Sequence, residues 1–140
     1  MWSLYRWSWN TNQWCFKEIT YLNSNAYPSG ELKHGNISLI NDKAYVIGIF
    51  ATDDEIINEK MVSGLKETRS RGSKNIYIGN DSLLKHLEEN EELLSIGIKY
   101  NDFSYIPIIF ICQLIAYYAA KELKNDIDCP KNLAKSVTVE

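Results

Sequence analysis

The chain has 140 residues, with 15 Lys and Arg against 18 Asp and Glu, a formal net charge of −3, 45% apolar and 24% charged residues. That is ordinary globular composition, with chain enough to bury a core. The acidic balance excludes a nucleic acid held through its phosphates. Cys15, Cys112 and Cys129 are too few and too scattered for a disulfide framework or a zinc site, so no metal and no cofactor is expected, and a reducing cytoplasm is the default compartment.

The first sixteen residues carry the tryptophans Trp2, Trp7, Trp9 and Trp14 and one charge, Arg6, with no apolar run of the secretory kind. Lys17 to Asn25 reads as the end of a helix, and Ala26 to Asn36 as a turn-rich loop. Ala44 to Phe50 is a short apolar run, expected as a strand buried on both faces. Thr52-Asp53-Asp54-Glu55 matches a capping box. The helix after it should carry Ile57, Met61 and Leu65 on one face and stop at Gly72. Asn75 to Gly79 is a second strand. Asp81 to Glu92 is predicted as a charged, exposed helix bearing Leu84 and Leu87, and Leu93 to Ile98 as a third strand.

Ser104 can cap the last helix, with Pro107 tolerated in its first turn. That helix is apolar nearly all round from Ile108 to Ala120, which predicts burial on several sides by a sheet or a partner. The apolar stretch Ile106 to Ala120 is interrupted by Pro107 and Gln113 and is too short for a membrane span. Alternating strands and helices make an α/β fold with parallel strands. A parallel sheet begun at Ala44 has a bare edge unless upstream residues or a second chain cover it.

Three ionisable residues are candidates for chemistry: Glu18, His34 and Lys135. Singly, each has an ordinary reading as a solvated helix glutamate, a loop histidine and a tail lysine. Together they match the needs of aldose–ketose isomerisation. An amine captures the carbonyl as an imine, which requires an unprotonated lysine and a pKa well below the reference of about 10.4. A carboxylate moves a proton between adjacent carbons, and a histidine opens the cyclic sugar.

The motifs carry a resemblance. Lys17 to Tyr21 and Ala26 to Gly35 are similar to K-E-I-x-Y and A-Y-x-x-G-E-L-K-H-G-P. Glu67 to Gly72 is similar to E-x-R-x-R-G, and Ile106 to Tyr117 to I-P followed by Q-L-L-A-Y. Asp126 to Glu140 follows D-V-D-Q-P-R-N-L-A-K-S-V-T-V-E. These are the motifs, in order, of the isomerizing glutamine:fructose-6-phosphate amidotransferases. That family converts fructose 6-phosphate and glutamine to glucosamine 6-phosphate and glutamate. The resemblance implies a sugar-isomerase (SIS) type α/β fold, a parallel sheet flanked by helices and truncated at its N-terminus. Residues 17–140 would be a partial second SIS domain with a C-terminal catalytic tail.

By the same resemblance Glu18 is the proton-transfer carboxylate and Lys135 the imine-forming lysine. His34 is the ring-opening histidine that reaches a neighbouring subunit's site, and the Ala134 backbone lies against the sugar. The implied partners are a sugar phosphate and a second copy or a fuller-length subunit, with no nucleic acid and no membrane. Cys15 stands where the family has a further lysine, Asn36 where it has proline, and Lys131 where it has arginine.

The family's glutaminase domain and its first SIS domain, with the loop that grips phosphate, have no counterpart in these residues. The chain is therefore expected to be an isomerase-domain fragment that is not self-sufficient. The alternative is an inactive truncated product or a phosphosugar-binding module. Residues 1–16 do not resemble the family. Tryptophan's single codon read one base later always gives glycine, and Tyr5 to Phe16 read this way can give I-G-G-H-G-I-P-I-N-G-A-L. That is similar to the family's glycine-rich entry into this domain, so residues 1–16 are expected to be a divergent or frameshifted segment.

Overall fold

The computed structural model describes residues 13, 15–97, 99–101 and 103–131. The chain divides into two compact units, one formed by Tyr27–Ile108 and the other by Met1–Ala26 with Ile109–Glu140.

The first unit is built on three parallel strands, β1 (Tyr45–Ile49), β2 (Lys74–Gly79) and β3 (Glu92–Ser95), in the order β1-β2-β3. Tyr45 pairs with Lys74 and Ile49 with Ile78, while Ile76 pairs with Glu92 and Gly79 with Ser95. Helix α1 (Glu55–Arg69) connects β1 to β2. The core lies between α1 and one sheet face. Phe50, Val62, Leu65, Tyr77 and Leu83 form its centre, with Val46, Met61, Leu87 and Leu93 packed around them. The Phe50 and Tyr77 rings stack at 5.5 Å. This is the α/β arrangement expected: a parallel sheet with flanking helices.

Four details differ from expectation. The first is the N-cap of α1. It is Asp54 rather than Thr52, and its carboxylate accepts from the Ile56 and Ile57 N–H groups. A carboxylate there makes charge-assisted bonds and favours the positive end of the helix dipole, so it outcompetes a hydroxyl. Thr52 Oγ1 instead accepts from Asp54 N–H at 3.1 Å. The second is the buried stripe of α1, which runs through Asn58, Val62, Leu65 and Thr68 and leaves Ile57 at the surface. The helix ends at Arg69. Gly72, at φ +95°, turns the chain so tightly that a Cβ would meet the Asp42 backbone at 3.2 Å.

The third difference is at residues 81–92. Only Asp81–His86 is helical, as a 3₁₀ helix, and it buries Leu83 while Leu84 is exposed. Glu91 explains why the helix does not continue. Its side chain is 3% exposed and turns inward, where its carboxylate accepts from Asn75 Nδ2 at 3.1 Å, the Tyr77 hydroxyl and the Glu88 N–H. Residues 88–91 form a turn, with Asn90 at φ 69°. The same network includes the Asn75 bonds to the Leu65 carbonyl, Thr68 and Ser73. Burial, with the Glu91 charge adding to it, pushes the Tyr77 phenol upward.

The fourth concerns burial. In β1 only Gly48 is fully buried, and Tyr45 and Ile47 are exposed on the face away from α1. Among the described residues no strand pairs with the outer edge of β1. Helix α2 (Tyr105–Glu122) follows Ser104, whose hydroxyl accepts from Asn101 N–H at 2.7 Å. Its buried positions include Ile108, Ala116 and Ala120, spaced by multiples of four. Ile106, Phe110, Leu114, Tyr117 and Tyr118 remain exposed in the single chain, so the chain by itself does not bury the helix on several sides. No helix of the described residues is long and apolar enough to cross a membrane.

Where β1 and β2 end, Tyr100 holds them together. Its hydroxyl donates to the Phe50 carbonyl at 2.7 Å and accepts from the Asn80 N–H at 3.0 Å. Gly79 leaves room for this closure. A Cβ there would stand 2.8 Å from the Tyr100 hydroxyl, 2.5 Å from Leu83 and 3.0 Å from Phe50. Overpacking of this kind costs about 1–3 kcal/mol. Gly79→Ala is therefore expected to lower the unfolding free energy by that amount, read as a lower urea midpoint at unchanged m-value. A neutral substitution would show that the three strand ends have slack.

Candidate functional site

Glu18 lies on a helical stretch, residues 15–20, and is exposed. Thr20 ends that stretch. Its side chain is buried, donates to the Phe16 carbonyl at 2.7 Å, and accepts from the Leu22 N–H at 3.1 Å. Gln13 fastens the following segment, donating to the Ser24 carbonyl at 2.9 Å and accepting from the Ala26 N–H at 3.1 Å. Tyr21 adopts φ 61°, a left-handed conformation that costs a residue with a Cβ roughly 1–2 kcal/mol. That cost must be offset by contacts made nearby.

The contacts come from the C-terminal part of the same unit. Helix α2 closes in a Schellman motif. Lys124 sits at φ 57°, its N–H donates to the Lys121 carbonyl at 3.0 Å, and the Asn125 N–H donates to the Ala120 carbonyl at 3.0 Å. The turn delivers the Asn125 side chain to the end of the Glu18 helix, where Nδ2 donates to the Ile19 carbonyl at 3.0 Å and the Thr20 carbonyl at 3.2 Å. These are carbonyls that a helix end leaves without internal donors. The Asp126 carboxylate then accepts from the Asp128 and Cys129 N–H groups, bending the chain toward Pro130. The Lys131 N–H finally donates to the Tyr21 hydroxyl at 2.8 Å.

Cys15 stands one helical turn before Glu18. Burial, and secondarily the Glu18 charge, raises its thiol pKa. A neutral thiol therefore occupies the position that the resemblance assigns to a cation. Cys112 is similarly pushed up, to about 11, by burial, which leaves it a weak nucleophile.

His34 belongs to the other unit and is exposed. It lies in a series of turns in which the Glu31 N–H donates to the Pro28 carbonyl at 2.8 Å and the His34 N–H to the Glu31 carbonyl at 3.1 Å. Gly35, at φ 103°, begins a short 3₁₀ helix, Asn36–Leu39. Lys33 reaches Glu67 on α1 at 2.6 Å, which joins the histidine loop to the segment ending α1. That pair is half exposed and contributes little to stability, though it fixes the loop's direction.

Ala134 and Lys135 lie outside the described residues. Among the described residues, the structure brings the chain leading to them against the end of the Glu18 helix. Sequence reading missed Tyr21 and Asn125. A helix followed by Lys-Asn is a C-cap signal, so the turn at Lys124 was legible. Nothing in the sequence linked Asn125 to residues 19 and 20.

An open cleft of about 300 Å³ lies beyond the carboxyl ends of β1, β2 and β3, lined by Asp53, Asn80, Asp81, Ser82, Gly97 and Lys99. Among the described residues no group of three or more His, Cys, Asp or Glu side chains gathers as a metal site.

No family model matches the chain. It is 39% identical over 124 residues to the glutamine–fructose-6-phosphate aminotransferase (isomerizing) of Caldanaerobacter subterraneus subsp. tengcongensis. It is 41% identical over 126 residues to the Clostridium acetobutylicum protein of that name, and 42% identical over 124 residues to that of Clostridium tetani. Each match takes in 89% of this chain and 20% of the relative, so the chain spans about a fifth of the length of the curated relatives it matches. Its structure is similar to the C-terminal domain of glucosamine-fructose-6-phosphate aminotransferase from Francisella tularensis, with a TM-score of 0.71 and 31% identity, over 85% of this chain and 33% of that one. The motifs around Glu18 and His34, the parallel sheet and these likenesses agree, and the chain belongs to the glutamine–fructose-6-phosphate aminotransferase family as a portion of its C-terminal isomerase region.

Proposed function

We propose that this chain is the sugar-isomerising part of a glucosamine 6-phosphate-forming enzyme, working on fructose 6-phosphate. The observation that carries this reading is the tie between the end of the Glu18 helix and residues 125–131, in a chain about 40% identical to the aminotransferases. In this reading the Lys135 amine attacks the C2 carbonyl and water leaves, giving an imine. Ammonia then adds at C2 and displaces the Lys135 amine, and Glu18 moves a proton from C1 to C2, which leaves an amine on C2 and an aldehyde at C1. His34 opens the ring by moving a proton from the anomeric hydroxyl to the ring oxygen, in the site of a neighbouring subunit. The Ala134 backbone packs against the sugar. Exposed placement of Glu18 and His34 suits groups that meet a ligand and a second subunit.

Residues 17–140 would be a partial second SIS domain. Ammonia and a grip on the phosphate would be supplied from outside residues 17–140, in a cytoplasm where Cys15, Cys112 and Cys129 stay as free thiols. The assembly would be a homodimer or a pairing with a fuller-length subunit.

Borohydride with saturating fructose 6-phosphate is expected to fix the sugar on Lys135, read by peptide mass spectrometry, and Lys135→Ala should abolish the adduct. Glu18→Gln should keep the adduct and slow deuterium exchange at C1 by about 10²-fold, the low end of what a positioned base supplies. An adduct on other lysines alone, or none, would sink the role of Lys135 and favour a non-catalytic module. Sedimentation equilibrium is expected to give twice the monomer mass, whereas a monomer at all concentrations removes the homodimer.

Residues 1–16 we read as divergent or frameshifted. Genomic DNA decides between these. A family-like reading frame, displaced by one base and running upstream of Lys17, is the expected result, and a stop codon early in that frame would rule the shift out.

A further inference from the structure

We infer that Tyr21 and Asn125 are positioning residues that set where the Lys135 tail starts relative to Glu18. The inference rests on the reading of Lys135 and Glu18 just given. The two residues do not touch the reacting atoms. They join the end of the Glu18 helix to the chain that leads to Lys135, through three hydrogen bonds at two points.

The geometry favours a built tie over incidental contact. Tyr21 holds a left-handed backbone that its side chain resists, at φ 61°. That backbone turns the chain at the helix end, and the phenol oxygen accepts from Lys131 N–H at 2.8 Å. Asn125 follows the left-handed Lys124 and spends both protons of its side-chain nitrogen on the carbonyls of Ile19 and Thr20. Thr20 between them is 2% exposed, and its hydroxyl both donates and accepts. Two strained turns, 103 residues apart in sequence (Lys124 minus Tyr21), therefore meet at one helix end.

The distances along the chain make this matter for chemistry. Tyr21 is three residues after Glu18, less than one helical turn. Lys135 is four residues after Lys131, so its Cα is within about 14 Å of the tie. Without the tie, the root of the tail would be located only by the end of α2 and the Asp126 turn, and the volume open to the lysine would grow. Holding a nucleophile near its partner is worth large factors in rate, and small displacements lose them.

Tyr21→Phe removes the acceptor and keeps the ring. In the borohydride assay with fructose 6-phosphate, its maximal trapping rate on Lys135 should fall about tenfold while the half-saturating sugar concentration stays unchanged. The Lys131 amide should exchange hydrogen faster, while amides of β2 keep their wild-type protection. Asn125→Ala should give the same split. A general loss of stability would instead raise exchange in β2 and weaken sugar binding as well. Unchanged trapping in both variants overturns the positioning role. Absence of trapping in the wild type overturns the role of Lys135 and with it the catalytic meaning of the tie. The tie itself is then judged by Lys131 amide exchange alone, and unchanged exchange in Tyr21→Phe refutes it.

Discussion

The last carbonyls of a helix need donors, and in this chain the carbonyls of Ile19 and Thr20 receive theirs from the side chain of Asn125, more than a hundred positions away. Much of the functional arrangement follows from that requirement. Asn125 is in reach because α2 stops at Glu122, and α2 stops because Lys124 takes a left-handed backbone and closes a Schellman motif. The Asp126 turn and the Lys131 bond to Tyr21 then carry the chain along the same helix end. A single terminal constraint thus couples the segment bearing Glu18 to the root of the tail bearing Lys135. The coupling is polar and directional, so it specifies a position rather than merely a proximity.

The strands and α1 were legible in the sequence because their signals are local. Short apolar runs bounded by Gly, Ser and Asp gave β1, β2 and β3 to within one to three residues at each end, and Gly72 marked the turn after α1. The failures have a common origin in side chains that serve distant partners. Asp81 to Glu92 has the composition of a helix, but Glu91 is drawn into the Asn75–Tyr77 network, which only the folded sheet creates. Asp54 takes the cap from Thr52 because a carboxylate is the stronger acceptor, a contest that a motif pattern does not weigh. The apolar circumference of α2 pointed to burial on several sides by a sheet or a partner, and within the single chain one ridge of it is covered and another is open.

The candidate site was legible in a different way. Glu18, His34 and Lys135 have no local signal of their own, and chemistry alone left them as a glutamate, a loop histidine and a tail lysine. Their motifs, in order, singled them out. The supporting residues Tyr21 and Asn125 were not visible, because a hydrogen bond across more than a hundred residues leaves no periodicity behind. Cys15 illustrates the opposite case. Its identity was plain, and the fold adds that burial and the nearby Glu18 keep its thiol neutral, so the charge balance around Glu18 differs from that of a site with a lysine there.

The ring of Tyr45 on the exposed face of β1 is covered by the ammonium group of Lys74, 5.4 Å from its centroid, and that nitrogen also lies 3.5 Å from the Tyr45 hydroxyl. An unpaired strand edge beside exposed aromatic and aliphatic side chains is a template on which further chains can add by main-chain bonding. Here any chain that added to β1 and packed over Tyr45 would have to strip water from a cation, and a second copy stacked in register would bring two such cations together. Burying that ammonium group without an opposite charge is costly, so the lysine opposes the stacking that the apolar side chains beside it would favour.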